Sequence, residues 1–275
     1  MNTLPPLDPP EWLLSFDFDG TLSDPDEDPS VRPEFFELIE SLRKSDRVFW
    51  GVNTGRSLMF TVQGMAEARF PFLPDYLIVR EREIYFPNQF GRWIASADWN
   101  KKCEKDHRRL FRKHRRFLKK TQQWVESETA AVWGFQAEEP AGIVASTAAE
   151  MDGIVRRLAV ELLEEAGLSY QRNGIYLRFS HCDYHKGSAM TEIRRLLGLP
   201  AERTFAIGDS HNDLDMLDLR LASHLACPGN ACEEVKESVA KSGGCLASGH
   251  ASAGAVEALR AVFSKRDIRD GWQRR

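Results

Sequence analysis

Nowhere in the 275 residues do apolar side chains run together for the length of a bilayer. With no stretch of about 18 apolar residues, no membrane-spanning helix is expected. There is no excess of basic charge either: 37 Lys and Arg stand against 41 Asp and Glu, a net charge of −4. That excludes a global basic field of the kind that draws a whole domain onto nucleic acid. Cysteine is sparse. The five cysteines, Cys103, Cys182, Cys227, Cys232 and Cys245, are odd in number and scattered. They form no C-x-x-C pair and no secreted disulfide pattern, so a reducing cytoplasm is the simplest setting. The stretch Met1 to Pro10 is proline-rich and lacks a basic-then-apolar signal pattern, which predicts a short loose lead-in. Internal repeats and low-complexity linkers are also missing.

What remains is a chain with 42% hydrophobic residues, enough for one large domain or two modest ones. Its most informative stretch is Trp12-Leu13-Leu14-Ser15-Phe16-Asp17-Phe18-Asp19-Gly20-Thr21-Leu22. An apolar run ends in two carboxylates one residue apart, then a glycine and a hydroxyl. This reads as a buried strand running into a turn. Two acids at such a strand end either face water or share a cation or a proton in a crevice. In open α/β sheets that crevice lies at the carboxyl ends of the strands.

The following segments repeat the theme. Pro33 to Lys44 has helical apolar spacing, with a proline suited to the first turn. Arg47 to Val52 is a second strand, ending in Asn53-Thr54-Gly55-Arg56-Ser57, with a helix predicted through Ala68. Tyr76 to Val79 is a third strand. Strand, helix, strand, helix, strand implies a parallel sheet with right-handed crossovers. The character then changes. A hairpin is expected around Pro87-Asn88-Gln89-Phe90-Gly91, followed by a charged segment from Asp98 to about Glu128. Strands are expected at Ala131 to Gln136 and Ala141 to Ser146, and an amphipathic helix over Ala148 to Ala166. A second hairpin is expected around Arg172-Asn173-Gly174. The parallel pattern resumes with a helix over Lys186 to Leu197, a strand Thr204 to Gly208 ending in Asp209-Ser210-His211-Asn212-Asp213, and a short helix Leu214 to Leu219. A strand His224 to Cys227, a helix from Gly229 to Val239, a terminal helix Ala251 to Phe263 and a frayed polar tail follow. The expected architecture is an α/β, doubly wound, Rossmann-like parallel-sheet core with an inserted α+β cap domain. The core comprises residues 1–82 and 182–275, and the cap residues 83–181.

Asp17 and Asp19, Thr54, Lys186, and Asp209 with Asp213 all lie at strand or helix ends that one crevice can collect. Several carboxylates with one lysine and one hydroxyl suit a magnesium ion holding a phosphate. Magnesium favours oxygen ligands, and lysine supplies a point charge for phosphate. Taken together, Asp17-Phe18-Asp19-Gly20-Thr21, Thr54, Lys186, and Gly208-Asp209 with Asp213 resemble the four motifs of the haloacid dehalogenase superfamily, in the family's order. Asn53-Thr54-Gly55-Arg56, His185-Lys186-Gly187-Ser188-Ala189, Gly208 to Leu217 and Gly229 to Lys236 narrow the resemblance to subclass IIB. There the cap lies between the second and third motifs, and Cof-type and sucrose-phosphatase-like phosphatases are members. The similarity covers most of Leu13 to Leu259, strongly in the core and weakly in the cap.

The resemblance implies a magnesium-dependent phosphatase acting on a small phosphorylated metabolite such as a sugar phosphate. Asp17 would be the nucleophile. Asp19 would be the general acid and then the base, which requires a carboxyl that carries a proton when substrate binds. Thr54, Gly55, Lys186 and Asn212 would hold phosphoryl oxygens. The metal would be held by Asp17, Asp209 and Asp213, with Asp19 contributing its backbone carbonyl. Asp213 could instead orient Lys186, and Asn212 or Asp213 could simply cap a helix. Thr21 either stabilises its turn or takes part in the site, and Arg56 either holds a core carboxylate or approaches substrate. The rivals to hydrolysis are a phosphotransferase or sugar phosphomutase of the same superfamily, and a non-catalytic binding protein on the same fold.

Within the cap, eleven basic residues from Lys101 to Lys120 accompany an apolar stripe of Leu110, Phe111, His114, Phe117 and Leu118. They are read as a solvated helix backing the cap sheet, since no nucleic-acid motif accompanies them. The aromatic residues of the cap are read as its core, and Arg172-Asn173-Gly174 as a plain turn. His181, Cys182, Asp183 and His185 contain metal-binding side chains but fit no standard zinc spacing. Relatives often carry Asn-Gly-Ala after the third strand, where this chain reads Arg80-Glu81-Arg82. Those charges are expected to alter the cap hinge or the pocket floor.

Overall fold

The computed structural model describes residues 9–134 and 141–273 and divides into two compact units. One runs to Ser96 and resumes at Lys186; the other is Ala97–His185. The first is built on an eight-stranded sheet. Its strands are β1 (Trp12–Phe16), β2 (Val48–Asn53), β3 (Tyr76–Val79), β4 (Glu83–Pro87), β5 (Trp93–Ala95), β10 (Thr204–Ile207), β11 (His224–Cys227) and β12 (Cys245–Leu246). They are ordered β12-β11-β10-β1-β2-β3-β4-β5.

Strand β1 is buried at every position, as a central parallel strand covered on both faces must be. It pairs in parallel with β2 (Leu14 opposite Trp50) and with β10 (Leu14 opposite Phe205). The chain leaves β1 toward β2 on one side and returns much later to β10 on the other. The carboxyl ends of β1 and β10 therefore flank the switch point at which such sheets bind ligands. Helix α1 (Pro33–Ser45) starts with a proline in its first turn and buries Phe35, Phe36, Ile39 and Leu42. Those side chains join Phe16, Trp50 and Phe70 in an aromatic-rich core. Helix α2 (Leu58–Glu67) is capped by Ser57, whose hydroxyl accepts the Phe60 N–H.

The hairpin β4–β5 departs from the sequence reading, which placed everything from residue 83 in the inserted unit. β4 pairs antiparallel with β3 (Ile78 opposite Ile84) and β5 with β4, so the hairpin extends the core sheet. Tyr85 and Trp93 accordingly pack on the core of this first unit. The chain ends also differ. Helix α6 (Lys186–Leu197) is as expected, but Leu214 to Leu219 forms turns after a 3-10 turn at His211–Asp213. Helix α7 spans Glu233–Lys241, and α8 continues to Gln273 where a frayed tail was expected.

The second unit carries a four-stranded antiparallel sheet ordered β6-β7-β9-β8. Its strands are β6 (Val132–Trp133), β7 (Gly142–Val144), β8 (Leu168–Asn173) and β9 (Tyr176–His181). The end of the strand expected at Ala131 to Gln136 lies outside the described residues. Three helices, α3 (Ala97–Lys113), α4 (Arg115–Glu128) and α5 (Ala148–Glu161), bury Leu110, Leu118, Val125, Met151, Ile154 and Leu158 against Ile143, Leu177 and Phe179. The lysines and arginines of α3 and α4 are exposed, while His114 is buried and bonds the Glu165 carboxylate. Among the aromatic residues, Trp124, Trp133, Tyr170 and Phe179 do build this core, whereas Tyr176 is exposed. His181, Cys182 and Asp183 come together, but Cys182 and Asp183 face solvent. No helix among the described residues is long and apolar enough to cross a membrane.

Candidate active site

The site begins where β1 ends. Asp17 N–H donates to the Ile207 carbonyl at 3.0 Å, which carries the β1–β10 ladder one residue past the strand. Phe18 then turns into the core, fully buried, and anchors the loop between the two acids. Gly20 has φ +75° and approaches Asp209 so closely that an added Cβ would lie 2.5 Å from its carboxylate. The backbone path therefore requires glycine at this position. Thr21, completely buried, donates its hydroxyl to Asp209 Oδ1 at 2.9 Å.

Lys186, the first residue of α6, is fully buried and donates from Nζ to Asp17 Oδ1 at 2.5 Å and to Asp213 Oδ1 at 2.6 Å. Burial by itself favours the neutral amine. Asp17, Asp213 and Glu81 outweigh burial and hold the ammonium. The other oxygen of Asp213 accepts the backbone N–H groups of Asp209 and Ser210, each at 2.9 Å. Both oxygens of Asp213 thus accept from protein donors, Oδ1 from Lys186 and Oδ2 from the two backbone N–H groups. Asn53 supports the lysine from below: its Nδ2 donates to the Lys186 carbonyl at 3.2 Å.

Asp17, Asp209 and Asp213 offer ligand oxygens that all lie within 4.8 Å of one another. Burial pushes the Asp17 carboxyl well above the usual range; Lys186 pulls it down, and Asp213 and Asp209 push it up. Burial likewise raises Asp209, to about 7, with Asp213 adding to the rise and the Thr21 hydroxyl opposing it. A positive charge between two such buried acids would favour their ionised forms. The donors are hard oxygens, and Asp209 spends one oxygen on Thr21. A small divalent cation such as magnesium fits this set, since it takes one or two carboxylates and keeps water in its remaining positions.

Asp19 lies apart from this cluster. Its carboxylate accepts two hydrogen bonds from Arg56, at 2.8 Å from Nε and 2.5 Å from Nη2. The Arg56 guanidinium sits 4.8 Å from the centre of the Phe18 ring. The fork engages both oxygens of the Asp19 carboxyl group with one guanidinium. Thr54 is buried at the end of β2 with its N–H on the Ile78 carbonyl, and its hydroxyl accepts the Arg56 N–H. Gly55 occupies the loop between them. Asn212 is buried in the 3-10 turn with its Nδ2 bonded to Glu81 Oε1 at 2.8 Å. Glu81 is the group whose partner the sequence did not reveal; its only local sign was a charged residue where relatives carry a small one. Asn230 closes the far side of the loop, donating to the Gly20 carbonyl at 2.7 Å.

Residues 72–245 match the family described as haloacid dehalogenase-like hydrolase. The kanosamine-6-phosphate phosphatase of Bacillus subtilis (strain 168) is 24% identical over 260 residues, covering 86% of this chain and 88% of that protein. Among solved structures, the sucrose-phosphatase of Synechocystis sp. PCC6803, in complex with sucrose and phosphate, superposes with a TM-score of 0.68. It is 18% identical and covers 93% of this chain and 98% of that one. The haloacid dehalogenase-like hydrolase yhjK of Bacillus subtilis gives a TM-score of 0.65 at 17% identity, covering 95% of each chain. At these identities the structural likeness concerns the fold.

Proposed function

Since the chain belongs to the haloacid dehalogenase-like hydrolase family, we propose that it is a magnesium-dependent phosphatase that hydrolyses a phosphomonoester of a sugar or similar small metabolite. One observation carries the reading. A fully buried ammonium joins two buried carboxylates, with a third alongside, at the carboxyl ends of β1 and β10. A protein that needed only stability would do as well with apolar residues there. The sugar assignment draws on the phosphorylated amino sugar named for the Bacillus relative and the sucrose-phosphatase named for the Synechocystis structure. The odd number and scatter of the five cysteines underlie the cytoplasm we propose as its setting.

The Asp17 carboxylate attacks phosphorus, and the bond to the leaving oxygen breaks as the new one forms. Asp19 gives its proton to that oxygen, so the alcohol departs neutral. The carboxylate so formed is held in place by the two Arg56 hydrogen bonds. Asp19 then takes a proton from water as the water oxygen attacks phosphorus, which frees inorganic phosphate and restores Asp17. Lys186 and Thr54 hold the phosphoryl oxygens, and Asp213 keeps the Lys186 ammonium aimed. Asp17 and Asp209, with the Asp19 carbonyl, would hold magnesium, which offsets the repulsion between the attacking carboxylate and the phosphate.

The test is phosphate release from para-nitrophenyl phosphate and a panel of sugar phosphates with magnesium. Wild-type protein is expected to turn over at least one of them, and Asp17→Asn to lose that activity by a factor of roughly 10³ or more. Undiminished release by Asp17→Asn refutes the assigned nucleophile. Silence of the wild-type protein across the whole panel refutes the phosphatase reading.

A further inference from the structure

Three metal-ligating side chains that the chemistry above leaves unused meet where the 3-10 turn His211–Asp213 touches the start of α7. His211 opens the turn; Cys232 immediately precedes α7, and Glu234 lies in its first turn. One imidazole nitrogen, the thiol sulfur and one carboxylate oxygen all lie within 4.8 Å of one another. The backbone holds the two elements together: the Cys232 N–H donates to the Asp209 carbonyl at 2.9 Å. His211 Nε2 stands 3.7 Å from Glu234 Oε1. The other ring nitrogen, Nδ1, is buried, so Nε2 is the one that faces an incoming ion. The approach is open, since the side chain of Glu234 is 63% exposed and that of His211 23%.

The donor set decides the metal. Asp17, Asp209 and Asp213 offer oxygen alone, which suits magnesium. Sulfur, nitrogen and oxygen together suit zinc, a borderline-soft ion that takes Cys, His and Glu in one tetrahedral shell. Donors bound to one zinc at about 2.0–2.3 Å stand roughly 3.3–3.6 Å apart. Drawing the group in to that spacing takes about 1 Å, which a rotamer adjustment of the exposed Glu234 side chain supplies. A His211–Glu234 ion pair alone, open to solvent, would contribute little, and a thiol would add nothing to it.

We propose that His211, Cys232 and Glu234 form a zinc site, distinct from the oxygen cluster of Asp17, Asp209 and Asp213, with water in the fourth position. Binding releases the thiol proton to solvent, and sulfur ligates as the thiolate. The ion ties the turn that carries Asp213 to the start of α7, and it does so whether or not the chain is a phosphatase. Cobalt(II) is the probe, because a bound thiolate gives a sulfur-to-cobalt charge-transfer absorption that oxygen ligands cannot give. The full chain, reduced and with magnesium in excess to fill the oxygen cluster, should develop that band on titration with Co²⁺, and Zn²⁺ should remove it. Cys232→Ser keeps a good helix cap and should lose the band. His211→Gln and Glu234→Gln should each weaken Co²⁺ binding at least about tenfold, since even outer-shell changes cost that much. Cys182→Ser should keep the band, although Cys182 stands with His181 and Asp183 in another thiol-containing group. Zn²⁺ should raise the melting temperature of the wild-type chain but not that of Cys232→Ser. In the wild-type chain it should also shield Cys232 from alkylation by iodoacetamide, read by mass spectrometry without any substitution.

A wild-type cobalt spectrum without the charge-transfer band overturns the proposal, as does a band that survives in Cys232→Ser or vanishes in Cys182→Ser. Full Co²⁺ affinity in both His211→Gln and Glu234→Gln reduces the site to a lone thiol and overturns it as well. Alkylation of Cys232 at the same rate with and without Zn²⁺ overturns it independently of how any variant folds.

Discussion

The guanidinium of Arg56 occupies the space that a side chain at Gly64 would need. A Cβ added there would stand 2.3 Å from Arg56 Nη1 and 3.0 Å from the Phe18 ring. Gly64 sits inside α2, where alanine would favour the helix by roughly 1 kcal/mol. The glycine is therefore explained by the arginine and not by the helix.

Gly64→Ala separates stability from activity. The flexible end of Arg56 can yield, so the melting temperature should stay close to wild type. The same movement takes the fork off Asp19, so kcat should fall by about 10–100-fold. Arg56→Lys should show a similar loss, since an ammonium cannot reproduce the two parallel hydrogen bonds. Melting curves and phosphate release measured on both variants check this, and a Gly64→Ala enzyme with full activity contradicts it.

Lys186→Met leaves Asp17 and Asp213 buried without their cation. Breaking a buried pair in this way costs about 3–5 kcal/mol at neutral pH. The cost should shrink in acid, where the stranded Asp17 carboxyl, already pushed up by burial, takes up a proton. Urea unfolding at about pH 7.5 and about pH 5 reads the difference. An equal loss at both values would show that the lysine acts through packing alone.

Asp209 in the folded, metal-free protein has its pKa raised to about 7, against an ordinary value of 3.8. Between those values the folded chain binds more protons than the unfolded one, so this group makes stability fall as pH rises. Magnesium must displace that proton. The rise in melting temperature that magnesium brings should therefore be small near pH 5.5 and grow toward about pH 8. Thr21→Val keeps the shape of the side chain but removes the hydroxyl that holds Asp209 down, so the midpoint of that growth should move to higher pH. Thermal melts with and without magnesium across this range provide the measurement. A magnesium shift that is flat with pH speaks against Asp209 as a ligand.

Much of the fold is legible because the parallel strands are short, apolar and followed at once by polar residues. Asp17, Thr54, Lys186 and Asp209 each announce themselves by ending or starting such an element. The hairpin over residues 83–95 joins the core sheet, where the sequence predicts the inserted unit, for a physical reason. Its turn is a local signal, but the partner of β4 is β3, and nothing local tells a strand which sheet it will join. Thr21, Arg56 and Glu81 were visible as residues but not as contacts. Their partners, Asp209, Asp19 and Asn212, lie 188, 37 and 131 positions away. Side-chain periodicity carries no information at that range. The same distance hides from the sequence that Asp213 accepts from Lys186 on one oxygen and from the Asp209 and Ser210 N–H groups on the other.

The separation of 169 residues between Asp17 and Lys186 also has a consequence in time. Synthesis delivers β1 first and its central neighbour β10 much later, with the whole of Ala97–His185 in between. That contiguous segment can close on itself as it emerges, because its contacts are internal to one stretch of chain. β1 meanwhile has β2 on one side and an open ladder on the other, the kind of edge that invites foreign strands. Asp17 is thus made early and waits 169 residues for the Lys186 ammonium. Docking of β10 closes that open ladder and brings Asp209 to Asp17 in the same step.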